Sequence, residues 1–177
     1  MVMIMADGNK FLIKFPSITD QNAWLDFVRE ARKFYPEATP LGFKEERDFK
    51  PWLDKIIQLN LANSLTNGET PTSTFFMYVD TRLVGYLTIK RKSYNQNSVG
   101  QVYINIRPSD RKKGYGTYFL KEGLNKCKAI NIHQVIMSCP EESIGGARLI
   151  EKNGGVLQET KYLNGSSIRM KIYTIDL

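Results

Sequence analysis

The sequence is poor in the residues that build metal centres and disulfide frameworks. Its 177 residues include two cysteines, Cys127 and Cys139, and one histidine, His133. One histidine excludes a His-rich metal site, and no Cys/His spacing suits zinc, so we expect no metal. Two cysteines cannot form a disulfide framework, which makes the cytosol the expected compartment. We interpret Cys139 as an inert core thiol and His133 as a surface residue.

The chain also has few acidic residues relative to basic ones, and it lacks long apolar runs. No stretch approaches the roughly 20 apolar residues that span a bilayer. The N-terminus, Met1 to Ala6, has no basic leader, so we expect neither a signal peptide nor a transit peptide. Lys and Arg number 25 against 18 Asp and Glu, a formal charge of +7. This excess favours a polyanionic partner: nucleic acid, an anionic membrane surface or a phosphorylated small molecule.

Composition and periodicity predict a folded domain of mixed secondary structure. Hydrophobic residues make up 42% of the chain, which excludes a mostly disordered protein. At about 150 residues per domain, the length predicts a single domain over residues 1–177. The predicted order β-α-α-β-β-β-α-β-α-β-β gives about seven strands and four helices, an α/β (α+β) fold. A helical crossover joins two of the strands, which should therefore be parallel.

The predicted elements follow from alternation of apolar residues in strands and their three-to-four spacing in helices. The strands are Phe11–Phe15, Phe75–Val79, Leu83–Ile89, Val102–Ile106, Val135–Cys139, Val156–Leu163 and Ile168–Ile175. The first helix is capped by Thr19 or Asp20 and reaches Ala31, and the second carries Phe49 and runs to about Leu65. The other two are Gly116–Ala129 and Ser143–Asn153. A basic hairpin tip at 90–98 and an Asn164-Gly165 turn complete the prediction.

The segment Arg107–Thr117 carries the most chemical information. Gly114 and Gly116 lack a Cβ, so the backbone can turn tightly and approach a ligand closely. The helix that begins there offers unpaired N–H groups and the positive end of its dipole, which suit a phosphate or diphosphate. The basic residues 111–113 add positive charge. Taken alone, the segment is equally explained as a glycine-containing turn with solvated lysines. It is neither a Walker loop, because it has no Gly-Lys-Ser/Thr, nor a Rossmann turn, because position 119 is Phe119.

Two blocks of the sequence resemble one protein family. Arg111–Gly116, Arg-Lys-Lys-Gly-Tyr-Gly, resembles the Arg/Gln-x-x-Gly-x-Gly/Ala signature of the GCN5-related N-acetyltransferases (GNAT), and it follows the predicted strand Val102–Ile106. Ile150–Gly155, Ile-Glu-Lys-Asn-Gly-Gly, looks like the family's Tyr-Glu-Lys-x-Gly-Phe. The resemblance is close from about Phe75 to Val156, most of all to bacterial members of low-GC Gram-positive type. It implies a GNAT-like mixed, mostly antiparallel sheet with a splayed parallel strand pair.

The resemblance also implies a ligand and a reaction. Acetyl-CoA is the implied cosubstrate, with its pantetheine between the splayed strands and its diphosphate on the N–H groups of the glycine segment. A backbone N–H near Ile106 would then stabilise the oxyanion formed when an amine attacks the thioester directly in a ternary complex. The attacking amine must be neutral, so the site must remove a proton. The residues implied to bind the cosubstrate are Ile104, Asn105, Ile106, Arg111, Lys112, Lys113, Gly114, Tyr115, Gly116, Thr117 and Ser143.

Three positions depart from the family pattern. Ile150 stands where many members have a tyrosine acid, Ser143 where an asparagine often contacts the cofactor, and Ser138 where an acidic base is frequent. The candidates to replace the missing catalytic groups are Tyr103, Glu142, Tyr86 and Tyr94. Each candidate also has a purely structural interpretation. A tyrosine on a strand commonly packs half-buried with its hydroxyl hydrogen-bonded, and Glu142 places a negative charge in the first turn of a helix. The thiolate can also leave without protonation, since a thiol has a pKa of about 8.5.

Three classes of function stay open. The first is an acetyltransferase that moves acetyl from acetyl-CoA to a primary amine of a small molecule or protein. The second is a non-catalytic acyl-CoA-binding module, which the isoleucine at position 150 keeps open. The third is a nucleic-acid binder using residues 90–92 and 111–113, which ranks last because these groups lie in separate loops without a nucleic-acid motif.

No membrane partner is expected, and a homodimer is left open. The segment Glu45–Trp52 suits a cationic acceptor but is more simply a solvated helix face.

Overall fold

A computed structural model of the chain describes residues 2–4, 10–61, 69–91, 101–162 and 167–177. The strands are β1 (Val2–Ile4), β2 (Lys10–Lys14), β3 (Thr72–Val79), β4 (Arg82–Lys90), β5 (Val102–Ile106), β6 (Gln134–Pro140), β7 (Val156–Tyr162) and β8 (Arg169–Asp176). The helices are α1 (Gln21–Phe34), α2 (Phe49–Leu61), α3 (Tyr115–Ala129) and α4 (Ile144–Glu151). No helix within these ranges is long and apolar enough to cross a bilayer.

The predicted element order is confirmed, with one strand added. β1 was not predicted because three residues are too few to show an alternating pattern. The predicted end of α2 near Leu65, most of the hairpin tip at 90–98 and the turn Asn164-Gly165 lie outside the described residues, as does Tyr94.

The strands form two antiparallel sheets. The first, sheet A, has the order β1-β2-β3-β4-β5, and the second, sheet B, has the order β6-β8-β7. β5 and β6 are the neighbouring edges. The Gln101 N–H donates to the Ile136 carbonyl at 2.8 Å, and no ladder between the two strands follows in the described part of the chain. The splayed pair is therefore confirmed, and the separation is wide enough to divide the predicted single sheet into two.

Alternation along the strands creates two different cores. In β3, Phe76 and Tyr78 face α1 and α2, whereas Phe75 and Met77 face α3. The α1/α2 side is aromatic: Trp24 stacks on Trp52 at 4.7 Å and on Phe76 at 5.1 Å between ring centroids. The α3 side is mainly aliphatic and includes residues of both sheets. Helix α3 packs on β4 and β5 of sheet A and also contacts α4, which packs on β6 of sheet B.

Candidate functional site

The loop between β5 and α3, residues 107–117, is called the anion loop here. After β5 the chain makes one 3-10 turn, Pro108–Asp110, then bends and enters α3 at Tyr115. Gly114 occupies the N-cap position with φ +83° and ψ −10°, a left-handed conformation that glycine adopts without steric cost. Within α3, the Tyr118 N–H donates to the Gly114 carbonyl at 3.2 Å. The N–H groups of residues 115–117 therefore precede the first intrahelical bond and point out of the helix end, as expected of an anion site.

The two glycines of the anion loop are needed for different reasons. A Cβ on Gly114 would meet nothing within 4 Å, so this position depends on glycine for its backbone conformation. A Cβ on Gly116 would lie 2.6 Å from Leu149 Cδ1 and 3.3 Å from Ile106 Cγ1. Gly116 therefore lets the start of α3 approach both the end of β5 and α4. This close approach places the free N–H groups beside the mouth of the cleft between β5 and β6.

Two of the three predicted cationic side chains are held by neighbouring groups. Arg111 Nε donates to the Ile106 carbonyl at 3.1 Å, and its Nη1 donates to the Tyr35 hydroxyl at 3.2 Å. Lys113 Nζ donates to Asp110 Oδ1 at 2.7 Å. Lys112 is exposed and has φ +63°, which is uncommon for a residue with a side chain.

Sequence reasoning missed the charged groups beneath the anion loop. Arg107 is buried, and its Nη1 donates to Asp26 Oδ2 at 2.7 Å and to Glu30 Oε2 at 3.1 Å. Its Nε donates to the Leu83 carbonyl at 2.9 Å. The guanidinium also lies 5.5 Å from the Phe27 ring centroid. These contacts fix the end of β5 against α1.

Two carboxylates with lowered pKa values hold the loop itself. Asp110 accepts hydrogen bonds from Lys113 and, at 2.9 Å, from Arg82 Nε; burial alone raises its pKa, but these bonds outweigh burial and lower it. Glu30 accepts the Ser109 N–H at 2.9 Å. Its pKa is likewise lowered, because the hydrogen bonds from Ser109 and Arg107 outweigh the effect of burial.

The register of β5 identifies the main-chain groups that face the cleft. Ile106 is paired with Gly85 of β4, and the Arg107 N–H donates to the Val84 carbonyl at 2.8 Å. Ladder hydrogen bonds in an antiparallel pair fall on alternate residues. The main-chain groups of Asn105 therefore point to β4, whereas those of Ile104 and Ile106 point to the cleft. The cleft thus presents the main-chain groups of Ile104 and the Ile106 N–H next to the anion loop, whereas the Ile106 carbonyl accepts from Arg111 Nε.

A polar group of side chains lies on the α1/α2 face of β5. Tyr103 is 54% exposed, and its ring centroid lies 5.9 Å from that of Tyr86. Tyr86 is buried, and its hydroxyl lies near the side chains of Tyr103 and Asn105. Burial, followed by Tyr103, raises the pKa of Tyr86, so this phenol stays protonated at neutral pH. Tyr103 is consequently the hydroxyl of the pair that a ligand can reach.

The turn from β6 to α4 holds the remaining candidates. Ser143 is the N-cap of α4, and its Oγ accepts the Gly146 N–H at 3.2 Å. Glu142 is exposed. Ile150 is 2% exposed and packs in the core on the α3 side, so it presents an apolar group where many family members have a tyrosine. Nearby, the buried Tyr173 hydroxyl donates to Glu151 Oε1 at 3.0 Å; burial, then Glu151, raises the pKa of Tyr173 to about 12.

Neither thiol has the properties of a nucleophile. Cys127 and Cys139 are both buried and free. Burial raises the pKa of Cys127 to about 12 and also raises that of Cys139. Within the described ranges, no group of three or more His, Cys, Asp or Glu side chains is placed to hold a metal ion.

Comparisons with known proteins identify a family and a fold. A profile of the acetyltransferase (GNAT) family matches residues 24–154. The ribosomal-protein-S5-alanine acetyltransferase from Vibrio fischeri has a similar structure, with a TM-score of 0.76 and 13% identity over 99% of this chain and 96% of that one. The microcin C7 self-immunity acetyltransferase MccE, solved with acetyl-CoA and AMP, has a TM-score of 0.73 and 12% identity over 94% and 92%.

A third similar structure is a GNAT-family acetyltransferase from Bacillus anthracis, with a TM-score of 0.67 and 18% identity over 94% of both chains. At these identities the likeness shows the shared fold. No curated protein matches the chain by sequence comparison.

Proposed function

The chain belongs to the acetyltransferase (GNAT) family, and we propose that its β5–β6 cleft and anion loop together hold acetyl-CoA for attack by an amine. The family's reaction moves an acetyl group from acetyl-CoA to an amine, and the chain is an acetyl-CoA-dependent N-acetyltransferase. What the proposal adds is the assignment of residues to that reaction. The assigned domain is the whole chain, residues 1–177.

The observation that carries the proposal is the position of the anion loop at the mouth of the divided sheet. Pantetheine contains amide groups, which can pair with the main-chain groups of Ile104 as an added strand would, and this leaves the Ile106 N–H for the thioester carbonyl. The diphosphate then falls on the N–H groups of Lys112 to Thr117, at the positive end of α3. The two binding elements are adjacent because Gly116 lets α3 begin against Ile106.

The chemistry needs an oxyanion donor and a route for protons. The amine nitrogen attacks the thioester carbonyl, and we assign the cleft-facing Ile106 N–H to stabilise the oxyanion that develops. Collapse of this intermediate expels the CoA thiolate, while the amine proton leaves to solvent or to a nearby base. We assign Tyr103 as the group that hydrogen-bonds or protonates the thiolate, with Glu142 as the second candidate. Because Tyr103 lies on the α1/α2 face, the acceptor should approach from that side.

The acceptor is proposed to be a primary amine of a small molecule or a protein. Support comes from the fold shared with an enzyme named for a ribosomal-protein alanine and with one named for immunity to a microcin. The buried, free cysteines support a reducing, cytosolic location, and the bacterial sources of the similar structures support a bacterial one.

A second candidate function is acyl-CoA binding without transfer. Ile150, packed in the core at the position of the family's tyrosine acid, favours it. Both candidates require the same binding site and differ in turnover. Release of CoA thiol from acetyl-CoA in the presence of a panel of primary amines separates them.

The binding site is tested by calorimetry with acetyl-CoA. We expect micromolar affinity for the wild-type protein and at least a tenfold loss in the Gly114→Glu, Gly116→Glu double variant, whose carboxylates enter the anion site. The matched control is Asn22→Glu, Gln58→Glu, which adds the same two charges at exposed positions of α1 and α2. Equal affinity in a folded double variant would refute the anion-loop assignment. Binding by the wild type without turnover of any amine would favour the binding module.

A further inference from the structure

Two carboxylates lie in and beneath a loop that is proposed to bind a polyanion. Asp110 belongs to the anion loop, is 5% exposed and accepts hydrogen bonds from Arg82 and Lys113. Glu30 of α1 accepts from the Ser109 N–H at 2.9 Å and, through Oε2, from Arg82 Nη2 at 3.1 Å. A negative charge beside a diphosphate is unfavourable by itself, so these acids need another explanation.

The charges around the loop balance one another. Arg82 bridges the two carboxylates, with Nε on Asp110 and Nη2 on Glu30. The other two cations of this network, Arg107 and Lys113, are also paired with acids. Three cations thus meet the three carboxylates of Asp26, Glu30 and Asp110. This network adds no net positive charge to the loop, and Lys113 is engaged within the protein.

What the network supplies is a fixed backbone. Glu30 holds the Ser109 N–H, so the 3-10 turn is tied to α1, and Arg82 ties the same turn to β4. Lys113, held by Asp110, and Arg111, held by the Ile106 carbonyl, flank Lys112 on both sides. Lys112 has φ +63°, and such a conformation persists in a residue with a side chain only where its surroundings enforce it.

We propose that Asp110 and Glu30 are positioning residues for the diphosphate of acetyl-CoA, which hold the anion loop in its binding shape through Arg82, Ser109 and Lys113. This inference rests on the proposed acetyl-CoA site. It predicts a change in diphosphate affinity that is opposite in sign to the change expected from charge alone. Removing either negative charge should weaken diphosphate binding because the loop loses its shape, whereas a purely electrostatic role predicts tighter binding.

The test compares two ligands that differ in the nucleotide portion, which contains the diphosphate. Calorimetry with acetyl-CoA and with acetyl-pantetheine, which lacks the nucleotide, is carried out on the wild type, Asp110→Asn and Glu30→Gln. We expect about a tenfold loss of acetyl-CoA affinity in each variant and less than a twofold change for acetyl-pantetheine. Glu30→Gln keeps the test decisive if Asp110→Asn does not fold. Asp54→Asn, which removes an exposed carboxylate on α2, is the matched control and should change neither affinity.

The outcomes separate the two proposals. Tighter or unchanged acetyl-CoA binding in the folded variants overturns the inference alone. An equal loss for both ligands also overturns it, since a general structural defect does not depend on the diphosphate. A wild-type protein that binds neither ligand overturns the proposed function and the inference together.

Discussion

Replacement of Gly114 by alanine separates the backbone requirement of the anion loop from general stability. Gly114 has φ +83°, and a Cβ there would meet nothing within 4 Å. Gly42, in the loop between α1 and α2, is its natural match, with φ +73° and equally open surroundings. Both substitutions introduce the same kind of strain, but Gly42 lies outside the anion loop.

The magnitudes follow from the conformation. A left-handed backbone costs a residue with a Cβ roughly 1–2 kcal/mol. Each variant should therefore unfold at a thermal midpoint a few degrees lower, because 1 kcal/mol corresponds to about 2–4 °C in a protein of this size. If the alanine introduced at position 114 relaxes to a right-handed conformation, the N–H groups of α3 turn away, and binding must restore them at the same cost. At about 1.4 kcal/mol per factor of ten, acetyl-CoA affinity falls about 5- to 30-fold.

Calorimetry with acetyl-CoA and a thermal melt of each variant complete the experiment. We expect similar melting points for Gly114→Ala and Gly42→Ala, with affinity lost in the first and retained in the second. Equal affinity losses in both variants would show that strain acts through global stability. Full affinity in Gly114→Ala would show that the left-handed turn is not what aims the N–H groups at the ligand.

The remaining predictions concern proton transfer, helix packing and acid sensitivity. Tyr103→Phe should lower kcat about 100-fold with little change in acetyl-CoA affinity; unchanged kcat would remove this hydroxyl from the mechanism. Gly123→Ala should destabilise the protein by about 1–3 kcal/mol in chemical denaturation, because its Cβ would lie 2.5 Å from Leu87 Cδ1; an unchanged midpoint would contradict this packing. Burial raises the pKa of Asp20, but hydrogen bonds, first of all that from Lys14, outweigh burial and lower it. The ionised Asp20 therefore stabilises the fold fully above its ordinary pKa of 3.8, and this stabilisation is lost as the pH falls through the lower pKa of the folded state. Asp20→Asn should therefore lower the melting point at pH 7, with a difference that shrinks in acid; a constant difference would refute the linkage.

Local sequence was sufficient to predict the turn from β5 into α3 that forms the anion loop. Its two glycines, the preceding strand and the following helix lie close together along the chain, and each has a local signal in backbone freedom or periodicity. The structure adds a distinction that these signals do not contain: Gly114 is needed for its conformation and Gly116 for close packing. Only the three-dimensional position of Leu149, far along the chain, reveals the second requirement.

The network beneath the loop could not be predicted in the same way. Glu30 and Arg107 are 77 positions apart in sequence, and neither belongs to a periodic pattern that would mark it as buried. An arginine after a strand and a glutamate on an amphipathic helix are usually solvated. Their pairing depends on how α1 lies across β4 and β5, which is a property of the packed aromatic core between them.

The hydrogen-bond register of β5 could not be predicted from the sequence either. It shows which residues of this strand have main-chain groups that face the cleft. The prediction placed Ile104, Asn105 and Ile106 together at the cosubstrate. Pairing with β4 occupies the main chain of Asn105 and leaves that of its two neighbours facing the cleft. Asn105 can then act through its side chain, which lies beside Tyr86 across the β4–β5 pair. Its cofactor-binding role stays a prediction.

The proposed role of Tyr103 accounts for the isoleucine that stands in place of the family's tyrosine at position 150. Ile150 belongs to the core on the α3 side, whereas Tyr103 lies on the α1/α2 face with Tyr86. We propose that Tyr103 donates a proton into the cleft from this face, opposite to the side on which Ile150 lies. Tyr86, which burial keeps protonated, lies against the Tyr103 ring. If Tyr103 has this role, the missing acid is replaced by a donor on the face where the acceptor is proposed to bind, so proton delivery and acceptor binding should respond together to changes at Tyr103.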